Sequence, residues 1–419
     1  MMNSDFDILF LGRLYPRELE TEIVSKSHDN MEDAQNALQW NLIEGLDRIN
    51  NTPVKIINII PVGSYPKYYD DCYIKTRFFK HHPKAEDINV GYLNLCYAKH
   101  PLLKYYIFPY AKDWAARKTG KQKIIFLYTM DNDFLYCVKR LKRIDPSIHC
   151  CTVIADLPDY MNLSIRKRRV LSWYLKHVTK SIKRKVKYTD SFVLLTKLMK
   201  EYLMINKPFV VIEGISTDAF SGIVTKVDST VLKTIVYTGT LHEKFGILLL
   251  LEAFSRIDKD NYRLIICGIG DSADKVKNMA KADKRIEYKG QLPHKEVLEL
   301  QLQATILVNP RQNNEEFTKY SFPSKDMEYL SSGRPVVAYK LDGIPDEYDD
   351  YIQYVRDNSI DALSLKLVDV CEKSNEELEA IGRRGKEFVL REKNKFVQTE
   401  RIMEMVEGLI KAGYRDRDN

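Results

Sequence analysis

At 419 residues the chain exceeds one ordinary core and implies about two domains of roughly 200 residues each. A hydrophobic content of 44% excludes wholesale disorder, and the formal net charge of +7 is modest but unevenly placed. Seven cysteines without a Cys-x-x-Cys pair, and no His-rich ligand spacing, speak for reduced thiols and against structural zinc. The first residues lack a basic stretch followed by an apolar one, so no signal peptide is expected. The longest apolar runs, such as Ile247 to Leu251, are far too short to span a bilayer. A cytoplasmic protein, soluble or peripheral, is expected.

In chain order, Asp7 to Gly12 reads as an apolar strand ending in glycine, the usual opening of a doubly wound α/β domain. Ala34 to Ile49 has helical apolar spacing, and Val54 to Ile60 reads as a buried strand. Lys123 to Tyr128 and Cys151 to Ala155 are further strands, with a helix around Asp133 to Arg143 between them. Asp190 to Leu195, a helix from Lys197 to Leu203, and Phe209 to Glu213 complete the first half. After a polar stretch, Ser216 to Lys233, read as a linker, the pattern restarts. Thr234 to Gly239, Tyr262 to Gly268, Arg285 to Gly290 and Thr305 to Asn309 read as strands; Ile247 to Ile257 and Pro293 to Gln303 read as helices. This alternation predicts parallel sheets covered on both faces. The expected domains are 1–215 and 216–393, facing across a cleft, with a C-terminal helix in 394–419 packing back on the first.

The segment from Lys319 to Ala338 is the most informative. It reads as a polar loop, a helix beginning near Ser324, a Gly333-Arg334-Pro335 break and a buried strand. Ser324 is the expected N-cap, leaving backbone N–H groups for phosphate, with Lys325 adding charge. Glu328, one turn on, is placed to accept hydrogen bonds from vicinal sugar hydroxyls. The blander reading is an ordinary helix start with a Lys325–Glu328 surface ion pair.

Several blocks in the C-terminal half are similar to family-4-type retaining glycosyltransferases of GT-B architecture, two facing Rossmann-like domains. Tyr237-Thr-Gly-Thr-Leu-His-Glu-Lys-Phe-Gly-Ile-Leu-Leu-Leu-Leu-Glu-Ala-Phe254 resembles the family's glycine loop and following helix. Leu264-Ile-Ile-Cys-Gly-Ile-Gly-Asp271, Lys289 to Val297 and Phe322-Pro-Ser-Lys to Val337 resemble later blocks, in order. In the N-terminal half, Asp156-Leu-Pro-Asp-Tyr-Met161 and Pro61 to Pro66 resemble segments of members that assemble bacterial capsular polysaccharides and exopolysaccharides.

The resemblance implies a retaining, metal-independent hexosyltransferase using a nucleotide-sugar and a lipid-linked glycan acceptor, with no cofactor. It assigns the ribose to Glu328, and the diphosphate to Lys325, Lys244, the Gly239-Thr240 loop, Gly268 and the helix start at Ser324. Gly12 is expected to face the donor, and Asp156, at a strand end on the acceptor side, to be a catalytic candidate with Lys325 and Lys244. The family often has arginine where this chain has Thr240, and Phe245 intervenes between Lys244 and the glycine. Tyr320, expected among the donor-binding residues, stands where relatives carry the first glutamate of a Glu-x7-Glu signature; Glu315 and Glu316 are nearby. Lys325, Lys244 and helix N–H groups would stabilise the leaving diphosphate, and its own oxygen would take the acceptor's proton.

Asp131-Asn-Asp133 has a metal-binding spacing, but here it opens a helix, where acidic residues are a favourable first turn. The basic segment 164–187 reads as a solvated face, a nucleic-acid patch or a membrane-surface patch. Interspersed Val170, Leu171, Trp173 and Tyr174 favour an anionic membrane surface and no nucleic acid. That places the enzyme at the inner face of the cell membrane. The alternative is a non-catalytic nucleotide-sugar-binding or scaffold protein of the same fold.

Overall fold

The computed structural model describes residues 5–28, 33–96, 99–155, 157, 177, 179–222, 232–314 and 316–413. The chain divides into two compact units. The first comprises residues 1–195, 199–212 and 395–419, and the second 196–198 and 213–394.

The first unit contains β1 (Phe6–Gly12), β2 (Lys55–Asn58), β3 (Tyr73–Ile74), β4 (Arg77–Phe79), β5 (Asp87–Asn89), β6 (Tyr92–Leu93), β7 (Gln122–Tyr128), β8 (His149–Ile154), β9 (Ser191–Leu194) and β10 (Phe209–Val211). Among the described residues its main sheet has the order β10-β9-β8-β7-β1-β2-β5-β4, parallel except for the edge pair β4–β5. β3 and β6 form a small antiparallel pair apart from it. Among the described residues its helices include α1 (Glu20–Lys26), α2 (Asp33–Ile49), α3 (Lys99–Ala116) and α4 (Asn132–Ile144); a short α5 (Leu198–Tyr202) follows β9. β1 is buried along its whole length, so its seven residues alternate between two covered faces rather than between core and solvent.

The second unit contains β11 (Lys233–Thr238), α6 (Ile247–Ser255), β12 (Tyr262–Cys267), α7 (Ala273–Ala282), β13 (Ile286–Gly290), α8 (His294–Gln303), β14 (Ile306–Asn309), α9 (Ser324–Ser332), β15 (Val336–Ala338), β16 (Ile352–Tyr354), α10 (Ile360–Cys371) and α11 (Asn375–Glu392). Its sheet is parallel throughout, in the order β13-β12-β11-β14-β15-β16. The order reverses between β11 and β14, and the carboxyl ends of strands flanking such a reversal are where open α/β sheets leave a crevice for ligands. A capping box at Ser374 and Glu377 starts α11.

The last helix, α12 (Lys395–Lys411), belongs to the first unit and lies against α2. Gly45 permits the approach: a Cβ there would stand 2.1 Å from Thr399 Oγ1. Lys395 Nζ pairs with Glu44 at 2.7 Å, and the Arg48 guanidinium lies 4.2 Å from the Phe396 ring centre. All seven cysteines are free thiols.

Candidate functional site

The crevice end of the second unit is built by two glycine loops and one helix start. After β11 the chain runs Gly239-Thr240-Leu241, and after β12 it runs Gly268-Ile269-Gly270. Gly239 N–H donates to the Cys267 carbonyl at 2.9 Å, Leu241 N–H to Ile269 at 2.8 Å, and Ser272 N–H to Leu241 at 2.9 Å. A Cβ on Gly268, whose φ is +139°, would stand 1.8 Å from the Gly239 carbonyl oxygen. The two loops are therefore laced backbone to backbone, and side-chain-free backbone is what close approach to a diphosphate requires.

Helix α9 faces these loops. Its N-cap is Pro323, at φ −73° and ψ 103°, with no side-chain cap. The expected cap Ser324 is instead the first helical residue and is exposed, because the extended turn into the helix already falls on Pro323. Pro323 supplies no capping side chain, and the Asp326 N–H donates to its carbonyl at 2.9 Å, while the helix end still presents its positive dipole to an anion. Lys325 reaches back across the glycine loop: a Cβ on Gly239 would lie 3.8 Å from Lys325 Cε. Its ammonium sits 3.1 Å from Glu328 Oε1, so the ion pair of the blander reading is present as well.

Glu328 is half-buried, and its Oε1 also accepts from Gln301 Nε2 at 2.6 Å. Gln301 is wholly buried on α8 and donates the same amide to Thr238 Oγ1 at 2.8 Å. Tyr329, beside Glu328, accepts from Thr238 N–H at 2.9 Å and donates to the Thr238 carbonyl at 3.0 Å. Glu328 and the glycine loop are thus fixed to one another through Thr238, the residue before Gly239.

Lys244 is exposed in the turn Glu243–Phe245, its ammonium 5.1 Å from the Phe245 ring centre. Gly246, at φ +82°, ends that turn; a Cβ there would meet the Pro310 carbonyl at 2.1 Å. His242 Nδ1 stands 2.9 Å from Asp271 Oδ2, which holds the Asp271 carboxyl below its usual range. With Glu252, Gln312 and Asn314 these residues line an open cavity of about 700 Å³. Thr240 is exposed, and its carbonyl accepts from Tyr237 OH at 2.9 Å. Tyr320 ends the turn Glu316–Tyr320, half-buried; Glu315 lies outside the described residues.

Sequence reasoning missed Gln301, Arg311 and Asp326. Arg311 follows β14 at the sheet's reversal, donates Nη2 to Ser321 Oγ at 2.7 Å and stands 5.5 Å from the Phe245 ring centre. Burial draws its pKa down to about 10 despite the opposing charge of Asp326. The available signal was positional: a cation directly after the strand beside the crevice.

In the first unit Gly12 ends β1, and the neighbouring Arg13 donates Nε to Asp131 Oδ2 at 2.7 Å. Burial works against the Arg13 charge, but Asp131 and Asp133 outweigh it and raise its pKa. Asp131 is also the N-cap of α4, accepting from Asp133 N–H at 2.8 Å and Phe134 N–H at 3.4 Å. Capping α4 in this way is what an acidic helix start supplies. Among the described residues no cluster of three His, Cys, Asp or Glu side chains has metal-ligating geometry. Asp156 lies outside the described residues, as do 164–176 and 178 of the basic segment. Within the described remainder, Lys185 Nζ donates to Asn132 Oδ1 at 2.7 Å. No helix of the described residues is long and apolar enough to cross a membrane.

No curated protein matches the chain in sequence. Solved structures match its fold over nearly full length. Sucrose-phosphate synthase from Thermosynechococcus elongatus shares 15% identity at a TM-score of 0.65, covering 97% of this chain and 100% of that one. An E. coli trehalose-6-phosphate structure bound with UDP-2-fluoro glucose shares 8% identity at 0.61, covering 95% and 98%. The lipopolysaccharide outer core galactosyltransferase WaaB, in its apo form, shares 12% at 0.61, covering 96% and 99%. Residues 228–388 match the family model described as Glycosyl transferases group 1. The fold is therefore GT-B, and the second unit carries the group 1 glycosyltransferase pattern.

Proposed function

We propose that the protein is a glycosyltransferase that moves a hexose from a nucleotide-sugar to a lipid-linked glycan, with retention of configuration and without a metal, in surface polysaccharide synthesis. The observation that carries the reading is the Glu328–Gln301–Thr238 linkage, which ties a carboxylate one turn into α9 to the glycine loop. That arrangement supports ribose at Glu328 and diphosphate at the Gly239 and Gly268 loops and the start of α9. Lys325, Lys244 and Arg311 supply positive charge as the diphosphate leaves, the role that preorganised donors fill in such reactions. The acceptor proton then passes to a donor phosphate oxygen, a route that needs no separate base. Gly12 faces the donor, acceptor contacts fall to the first unit near Asp156, and membrane attachment falls to the segment 164–187. The UDP-2-fluoro glucose in one similar structure makes a uridine nucleotide the first donor to test.

A second reading, a donor-binding protein without transferase activity, is favoured by Tyr320 in place of the family's first glutamate. One experiment addresses both. Thermal shift is measured with UDP, GDP, ADP and CMP, with and without EDTA, on wild type and Glu328→Ala. A nucleotide at 100 times its dissociation constant adds about 2.7 kcal/mol. Stabilisation that survives EDTA and is reduced in the variant supports the site; no shift with any nucleotide sinks it. Donor hydrolysis without acceptor then separates transferase from scaffold.

A further inference from the structure

We infer that Gln301 is a positioning residue that sets the nucleotide site's preference for a ribose over a deoxyribose. This rests on the donor reading of the crevice given above. Gln301 reaches the site from α8. Its side chain is wholly enclosed, and its amide nitrogen makes two hydrogen bonds, to Glu328 Oε1 at 2.6 Å and Thr238 Oγ1 at 2.8 Å. Lys325 binds the same carboxylate oxygen at 3.1 Å. Both donors thus converge on Oε1, which fixes the carboxylate plane and leaves Oε2 for a ligand hydroxyl. Two donors on one oxygen also fix the carboxylate's rotation about its last bond, which a lone lysine on a flexible stem would not.

The second hydrogen bond gives the residue its reach. Thr238 immediately precedes Gly239, and its backbone is gripped on both sides by the Tyr329 hydroxyl. Gln301 therefore sets the distance between the hydroxyl-binding carboxylate and the phosphate-binding backbone. A ribose offers that carboxylate both a 2′- and a 3′-hydroxyl, whereas a 2′-deoxyribose keeps only the 3′-hydroxyl. The amide oxygen of Gln301 has no hydrogen-bond partner although it is buried. Leaving such an atom unsatisfied is costly, so the residue is held for its donor end. A methionine would pack in the same volume more favourably.

The test compares wild type, Gln301→Met, Glu328→Ala and the double variant. Dissociation constants are measured by calorimetry for UDP, GDP and ADP against dUDP, dGDP and dADP. Wild type should prefer its ribonucleotide by roughly tenfold or more, the range expected for a hydrogen bond to a charged group. Gln301→Met should bring that ratio close to one while changing deoxynucleotide affinity less than about twofold. In the Glu328→Ala background the same substitution should leave the ratio unaltered, because its effect passes through Glu328. An unchanged ribose preference in Gln301→Met overturns the inference. So does an equal loss for ribo- and deoxynucleotides, which would make Gln301 a packing residue only. Failure of every nucleotide to bind wild type overturns the donor reading itself, and this inference with it.

Discussion

Asp326 lies wholly buried in the first turn of α9, accepting from Asn309 Nδ2 at 2.6 Å through Oδ1, while its Oδ2 has no hydrogen-bond partner. Burial pushes its carboxyl up to about 7, against the pulls of Asn309 and Arg311. The folded protein thus holds a proton that the unfolded chain releases near its ordinary value, so Asp326 erodes stability as pH rises through that window. At about 1.4 kcal/mol per pH unit the loss is at most about 4 kcal/mol. Asp326→Asn keeps an oxygen for Asn309 and should stabilise the protein most above pH 7, with the gain shrinking toward pH 5. Urea melts at both values check the sign. His81 behaves oppositely. It bridges Asp87 at 2.6 Å and Asp47 at 2.9 Å; burial disfavours its charge, but those bonds outweigh it and hold the pKa at about 9. Its contribution, on the order of 3 kcal/mol, is complete below pH 6.5 and lost as pH climbs through 9. His81→Phe should therefore cost most at pH 6 and little at pH 10, measured in the same way.

The glycine loops act as one element, and their sensitivity should be asymmetric. Gly268 and Gly290 both adopt positive φ, +139° and +68°, but a Cβ on Gly290 meets open space while one on Gly268 meets the Gly239 carbonyl. Gly290→Ala should cost about 1 kcal/mol of backbone strain. Gly268→Ala adds a clash that displaces the loop, so it should cost more than that and abolish nucleotide-induced stabilisation. Paired thermal shifts with and without UDP distinguish the two. These loops were legible in the sequence because glycine spacing and strand endings are local signals. Gln301 was not, since its partners lie 27 and 63 positions away in the chain. Helix α3 escaped for another reason: Leu102, Tyr105 and Tyr106 are exposed beside buried Leu103 and Ile107, so no single apolar stripe marks it, and Pro109 interrupts it. The Ser324 cap was misplaced by one residue because Pro323 can enter the helix without a capping side chain.

At the scale of the whole molecule, the second unit begins and ends its long segment at a buried ion cluster. Lys393 Nζ pairs with Glu213 Oε1 at 2.5 Å and with Glu347 Oε1 at 2.6 Å, and Tyr348 OH donates to the same Glu213 oxygen at 2.7 Å. Lys393 and Glu213 are each about 2% exposed at the side chain, while Glu347 is 48% exposed. Water can therefore satisfy Glu347 if Lys393 is removed, but Glu213 would be left charged and enclosed. Breaking one side of such a pair costs on the order of 3–5 kcal/mol, whereas replacing both sides with apolar groups of similar volume is often neutral. Lys393→Met alone should destabilise by that amount, and adding Glu213→Leu should recover much of it, leaving the Tyr348 hydroxyl as the residual loss. Since Glu213 and Lys393 lie 180 positions apart, the recovery also measures how far the unit depends on closing its own chain. Equilibrium melts of the two single variants and the double variant decide it. A double variant no more stable than Lys393→Met would mean that the hydrogen bond to Tyr348, and not the stranded charge, is what the cluster exists to satisfy.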